Sequence, residues 1–311
     1  MHVVATAGHV DHGKSTLVRA LTGTDPDRLA EEHRRGLSIE LGYCWTTLPE
    51  AGECAFVDVP GHERFVPTML SGLGPVPAVL FAVAADDDWM PQAAEHLAAL
   101  DAFGVRHGVV AVTRIDLADP APAVERVRAR VATTGLADAT VMPVSARTGH
   151  GLADLRVELV RMLGALPTPD PAADVRLWVD RRFVVHGAGT VVTGTLQQGT
   201  VATGDTLLHG TDRIRVRGVQ TLGREVGEVH GVARVALRLG ASVPESLDRG
   251  SVLVTPDAWR PTDVVDIRVT DGPGPPERPV LHVGAGAVGC HYRPLGDCLG
   301  RLTLPEALPL R

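Results

Sequence analysis

The chain has 311 residues, 44% hydrophobic and 22% charged, with a formal net charge of −7, the profile of a globular protein of two or three domains. The negative balance excludes a protein that coats nucleic acid over its whole surface, although it leaves room for a local basic face. Asparagine is absent and Lys14 is the only lysine, a bias expected of a GC-rich genome.

No basic leader precedes the opening "MHVVATAGHV". The longest apolar run, "VPAVLFAVAA" at 76 to 85, is about half of the ~20 residues a spanning helix requires. The reading is a cytoplasmic, monomeric chain without a membrane segment. Cys44, Cys54, Cys290 and Cys298 form no CxxC pair, so reduced cysteines are expected rather than a metal site, even with His291 beside Cys290.

Up to about residue 166, short apolar runs alternate with helical patterns. "HVVATA", "CAFVDV", "AVLFAVAA", "GVVAVT" and "ATVMPVS" are bounded by Gly, Pro or Asp, and amphipathic stretches such as "MPQAAEHLAALDAFG", "PAVERVRARVATTG" and "LADLRVELVRMLGAL" lie between or after them. This alternation predicts an α/β domain, a mostly parallel sheet with helices on both faces. Its ligand site is expected at the C-terminal strand ends.

The proline-rich "PTPDPAAD", 167 to 174, predicts a linker. From 175 to 258 come short strands such as "RLWVDRRFVV", "RIRVRGVQTL" and "VARVALRLG", separated by glycine turns, a pattern for a small antiparallel barrel. Residues 261 to 311 begin as further strands and leave only about 50 residues, little for an independent core. A partial second β-barrel is expected there.

"GHVDHGKS" fits GxxxxGK[ST] between a predicted strand and a predicted helix, with Gly8, Gly13, Lys14 and Ser15 in place. Glycines let the backbone wrap a phosphate and the helix N-terminus favours the anion. Lysine reaches the β- and γ-phosphates, and the serine hydroxyl can ligate Mg²⁺. Lysine is a compact point charge, whereas a guanidinium is a planar fork too broad for such a loop. A chain that otherwise uses arginine therefore retains lysine here for a chemical reason.

Further strand ends carry "FVDVPGHE", "TRID" and "SART". Asp58 is placed to hold Mg²⁺ through a water, and Gly61 to sense the γ-phosphate with its amide. Asp116 can accept from the N1 and N2 donors of guanine, which adenine lacks. The order of the four elements favours GTP over ATP.

These residues resemble a translational GTPase, and among translational GTPases most closely the selenocysteine-specific elongation factor. "GHVDHGKS", "DVPGHE" and the domain order are shared by translation factors generally. "RRGLSIELGY" and "DRRFVVHGAGTVVTGTLQQG" are similar to the selenocysteine branch. The likeness extends over essentially the whole chain, is strongest in 1 to 165 and 175 to 255, and weakens after 261.

The resemblance implies site residues. Gly8, His9, Val10, Asp11, His12, Gly13, Lys14, Ser15, Thr16 and Gly61 would surround the phosphates, although loop packing serves equally well for His9 and His12. Thr113, Arg114, Asp116, Ser145, Ala146 and Arg147 would surround guanine. Ser15 and Ser38 would bind Mg²⁺ with Asp58 behind them, Ser38 standing where the family has threonine. His62 would orient the attacking water, with Val10 and Leu37 as an apolar gate that keeps hydrolysis slow away from the ribosome. Glu63 and Arg64 are read as part of a switch helix. "TRID" departs from the family's NKxD, and avoidance of lysine and asparagine is a sufficient cause. Asp86, Asp87 and Asp88 are read as a solvated turn.

The resemblance also implies that Asp180, Arg181 and Arg234 form an aminoacyl pocket. A selenol is far more acidic than an alcohol, so a cationic pocket can separate selenocysteinyl-tRNA from its seryl precursor. Arg182 and Arg238 are read as surface arginines. The implied partners are selenocysteinyl-tRNA and the ribosome. The family reads an mRNA stem-loop through C-terminal winged-helix modules that these 311 residues do not contain; a longer protein or a second polypeptide would supply them. Rival readings are a general aminoacyl-tRNA or initiator-tRNA factor, against which "IELGY" argues, and a non-catalytic GTP-regulated binding protein, against which His62 argues.

Overall fold

The structure is a computed structural model that describes residues 1–35, 37–187, 189–270, 274–296 and 298–310. Gly36 of "RRGLSI", Ala188 of "VVHGAG", and Asp271 and Arg311 of the third segment lie outside them.

The first domain is built on six strands: β1 (His2–Ala7), β2 (Gly42–Leu48), β3 (Gly52–Asp58), β4 (Ala78–Ala84), β5 (His107–Thr113) and β6 (Thr140–Pro143). Their order is β2-β3-β1-β4-β5-β6, with only β2 antiparallel to its neighbour. Every residue of β4 is buried, as a strand covered on both faces requires.

The helices are α1 (Lys14–Thr22), α2 (Ala30–Arg35), α3 (Val66–Leu73), α4 (Pro91–Ala102), α5 (Ala121–Val131) and α6 (Leu152–Gly164). Leu17, Val18 and Leu21 of α1 pack with Leu155 and Leu159 of α6 against one face of the sheet. Met69, Leu97, Leu100 and Val127, from α3, α4 and α5, pack on the other. The expected two-faced α/β domain is present.

Two elements escape the sequence reading. β2 is the antiparallel edge strand, and α2 is a single polar turn-and-a-half, "AEEHRR", with no apolar period. Glu63 and Arg64 lie immediately ahead of α3. Glu63–Phe65 is a 3-10 turn that runs into α3.

The proline-rich stretch is tied to the second domain, Thr200 Oγ1 donating to the Pro171 carbonyl at 2.7 Å and Gly199 N to that of Asp170 at 2.9 Å. That domain comprises β7 (Arg176–Val185), β8 (Gly189–Leu196), β9 (Thr200–Ala202), β10 (Thr206–His209), β11 (Asp212–Thr221), β12 (Arg224–Val226), β13 (Glu228–His230), β14 (Ala233–Leu239) and β15 (Val252–Val254). The ring β10-β15-β7-β8-β14-β11 closes through β10 and β11, giving an antiparallel barrel. Its core holds Leu177, Val179, Leu196, Val216, Leu237 and Leu253.

The third segment comprises β16 (Arg260–Arg268), β17 (Val280–Val283), β18 (Gly286–Gly289), β19 (His291–Gly296) and β20 (Leu299–Leu310). The expected partial barrel takes the form of a three-stranded sheet, β16-β20-β19, and a β17-β18 hairpin around Cys290, Leu302 and Leu304. The domains share packing: Met1 lies against the barrel core, and Leu222 and Val232 of the barrel lie against the core of the first domain. No helix among the described residues is long and apolar enough to cross a membrane.

Candidate nucleotide site

A cavity of about 430 Å³ opens where β1, β3 and β5 end. It is lined by Val10, Asp11, Gly13 to Thr16, Asp27, Leu37, Ser38, Gly61, Thr113, Arg114, Asp116, Leu117, Ala146 and Arg147. Its volume falls within the range of small-molecule sites. Most of the predicted residues therefore converge. Gly8, His9, His12, Ser145 and Asp58 stand behind the lining.

The loop after β1 wraps tightly for steric reasons. Gly8 has φ +123°, and a Cβ there would lie 2.1 Å from the Ala82 carbonyl oxygen. At Gly61 a Cβ would lie 2.3 Å from Lys14 Nζ and 2.5 Å from Val10 N. Neither position tolerates any other residue.

Lys14 Nζ donates to the carbonyls of Gly8 at 3.0 Å and His9 at 2.8 Å. Burial pushes its pKa down to about 8 against the opposing pull of Asp58, Asp11 and Asp27. A desolvated ammonium at the N-terminus of α1 is a site prepared for an anion.

A chain of short hydrogen bonds runs beneath it. Thr6 Oγ1 donates to Asp58 Oδ1 and Ser15 Oγ to Asp58 Oδ2, both at 2.6 Å. Ser15 Oγ lies 3.0 Å from Ser38 Oγ, which donates to Asp27 Oδ1 at 2.8 Å. Burial raises the pKa of both Asp58 and Asp27. Two facing hydroxyls backed by two desolvated carboxylates are hard oxygen donors whose charge a small divalent cation would offset, so the residues fit Mg²⁺.

At the base end, Asp116 Oδ1 accepts from Ser145 Oγ at 2.6 Å and Oδ2 from Arg147 Nε at 2.8 Å. These bonds, Ser145 first, hold its carboxyl below the usual range. Thr113 Oγ1 donates to the His12 carbonyl at 2.8 Å, tying the base motif to the phosphate loop. Arg114, with φ +58°, pairs with Asp86 at 3.3 Å.

Three histidines pack beside the cavity. His9 and His12 stack edge to face with centroids 5.0 Å apart. Burial takes His12 down to about 4 and His96 to about 3. His96 Nδ1 accepts from Gly8 N at 2.9 Å, a contact sequence reasoning missed because His96 sits in an unremarkable helical pattern. The expected solvated turn is in fact partly engaged: Asp86 pairs with Arg114, Asp87 with His12 at 3.4 Å and Asp88 with Arg126 at 3.7 Å. No cluster able to hold a metal through His, Cys, Asp and Glu occurs among the described residues.

His62 does not line the cavity. Its Nδ1 accepts from Arg64 N at 3.2 Å, and its ring centroid lies 6.1 Å from that of Phe65. Val10 and Leu37 do line it.

The three predicted pocket residues converge at the junction of barrel and first domain. A β-bulge in β7 leaves Asp180 as the extra residue between Val179 and Arg181, so it turns inward. Asp180 is 3% exposed and Arg234 10%, and the two form a bidentate ion pair. Thr193 Oγ1 also donates to Asp180, at 2.6 Å. Burial alone would raise the Asp180 pKa, but Arg234 and its other donors hold it low.

The guanidinium carbons of Arg234 and Arg181 lie over the Tyr43 ring, 4.1 and 4.8 Å from its centroid. Arg181 donates to the Leu41 carbonyl and pairs with Glu40 at 3.4 Å. Arg182 instead donates to the carbonyls of Glu245 and Leu247, and Arg238 to that of Arg217.

The sequence model of the elongation factor Tu GTP binding domain matches residues 1–165. The chain belongs to that family. The selenocysteine-specific elongation factor of Desulfomicrobium baculatum is 39% identical over 274 residues, 86% of this chain and 43% of that protein. The protein of the same name from Escherichia coli K12 is 41% identical over 260 residues, 81% of this chain and 42% of its own length. A crystal structure of a bacterial selenocysteine-specific elongation factor, EF-Sec, superposes with a TM-score of 0.94 at 31% identity, covering 100% of this chain and 55% of that one. The chain thus spans less than half the length of these two curated relatives.

Proposed function

We propose that the chain binds GTP with Mg²⁺, hydrolyses it to GDP and phosphate on the ribosome, and delivers selenocysteinyl-tRNA. The observation that carries the nucleotide reading is the cavity that unites Lys14, the Ser15–Ser38 hydroxyl pair and Asp116.

In this reading the loop amides and Lys14 hold the phosphates. Ser15 and Ser38 offer hydroxyls to Mg²⁺ and Asp58 orients Ser15; when bound, the ion offsets charge that develops on the phosphate oxygens. Asp116 keeps further lone pairs on each oxygen for guanine, beside its bonds to Ser145 and Arg147. His62 would orient the attacking water once it reaches the cavity; here its Nδ1 accepts from Arg64 N instead. Catalysis then waits on repositioning of His62 past Val10 and Leu37, so slow turnover by the free protein is expected.

The aminoacyl reading rests on Arg181, whose side chain is 31% exposed and pairs with the exposed Glu40, whereas Arg234 is buried against Asp180. A selenolate attracts such a cation more strongly than a hydroxyl does. Arg181→Ala should weaken selenocysteinyl-tRNA binding and leave GTP affinity unchanged. Equal loss of both ligands would remove the pocket assignment.

A further inference from the structure

The carboxylate of Glu32, in α2, is 4% exposed and accepts four backbone N–H groups. Oε2 takes Arg28 N at 3.0 Å and Leu29 N at 2.9 Å; Oε1 takes Ile39 N at 3.0 Å and Glu40 N at 3.1 Å. The carbonyl of Glu32 also accepts from Leu37 N at 3.2 Å. One residue thereby joins both ends of the segment from 28 to 40, just outside Asp27 at one end and on either side of Ser38 at the other.

Residues at the ends of this clamp bear on the cavity. Ser38 Oγ faces Ser15 Oγ at 3.0 Å, Asp27 receives the Ser38 hydroxyl, and Leu37 lines the wall. Segment 30–35 itself presents mostly polar side chains and has little apolar burial to hold it. Charge-assisted bonds to one buried carboxylate are roughly twice as strong as neutral ones, so Glu32 firmly restrains the backbone that carries Ser38, beside the direct bond of its hydroxyl to Asp27.

We propose that Glu32 is a positioning residue for Mg²⁺-dependent nucleotide binding: it closes segment 28–40 so that Ser38 meets Ser15. This inference rests on the metal reading above. It assigns to Glu32 no contact with metal or nucleotide.

The test is the affinity of the full chain for a non-hydrolysable GTP analogue, measured with Mg²⁺ and with EDTA. Glu32→Gln keeps the shape but loses the charge and half of the acceptors. It should lose about ten-fold in affinity with Mg²⁺, as expected when charged-acceptor bonds are lost, and show no change with EDTA. Ser38→Ala should do the same, and the double variant should be no worse than Ser38→Ala alone, since both act through one hydroxyl.

An unchanged Mg²⁺ enhancement in Glu32→Gln, equal loss in both buffers, or additive losses in the double variant would each overturn the proposal. If the wild-type chain shows no Mg²⁺ enhancement, or Ser38→Ala keeps it, the metal reading itself fails. Should Glu32→Gln not fold, Glu32→Asp takes its place. Its shorter arm cannot reach both amide pairs, so the same Mg²⁺-specific loss is expected, and its absence would overturn the proposal equally.

Discussion

Thr113 Oγ1 donates to the carbonyl oxygen of His12 at 2.8 Å, joining the end of β5 to the phosphate loop. Both groups are buried, so removing the hydroxyl strands a carbonyl without its donor. Thr113→Val, which keeps the shape, should weaken GTP and GDP binding together by about ten-fold. Equilibrium titration with a fluorescent nucleotide checks this; unchanged affinity would show that the tether has no part in binding.

Asp116 can recognise guanine because both its oxygens accept. Asp116→Asn exchanges one acceptor for a donor, which suits xanthine, whose C2 bears a carbonyl in place of the amine. GTP affinity should fall by about 100-fold or more, from the loss of charge-assisted bonds. Xanthosine triphosphate should become the better ligand, and competition between the two nucleotides reads the switch.

The Asp180–Arg234 pair is buried against Tyr43. Asp180→Ala leaves an uncompensated guanidinium in that position, which costs about 3–5 kcal/mol. Chemical denaturation should register the loss at unchanged slope. A loss below about 1 kcal/mol would mean that Arg234 reaches water in the variant.

His12 and His96 are pushed by burial to about 4 and about 3, against 6.5 in an unfolded chain. Between those limits the unfolded chain binds more protons than the folded one, so stability rises with pH from about 4 to about 6.5 and is lost as pH falls. Each histidine contributes a slope of up to about 1.4 kcal/mol per pH unit. His96→Gln retains an acceptor for Gly8 N and should flatten the profile in that window, as measured by urea unfolding at several pH values.

Much of the fold and the nucleotide site is legible in the sequence because the chemistry is local. The loop from Gly8 to Thr16 needs glycines, one lysine and one hydroxyl in fixed order, and β1, β4 and β5 are apolar runs with no alternative reading. β2 and α2 are not legible. β2 gains its stability from pairing with β3, and α2 from a carboxylate that gathers distant amides. Asp27 and His96 escape notice for the same reason: each matters through a partner far along the chain, Ser38 for one and Gly8 for the other. The placement of Asp180 depends on a bulge that alternation cannot show.

The most direct test is the affinity of the GTP-bound chain for selenocysteinyl-tRNA beside its seryl precursor and one bulk aminoacyl-tRNA. Strong preference for the selenocysteinyl form is expected, and it should be lost in Arg181→Ala. Equal affinity for the selenocysteinyl and seryl forms, with GTP still bound, would contradict the assignment of Arg181 and of selenocysteinyl-tRNA delivery alike.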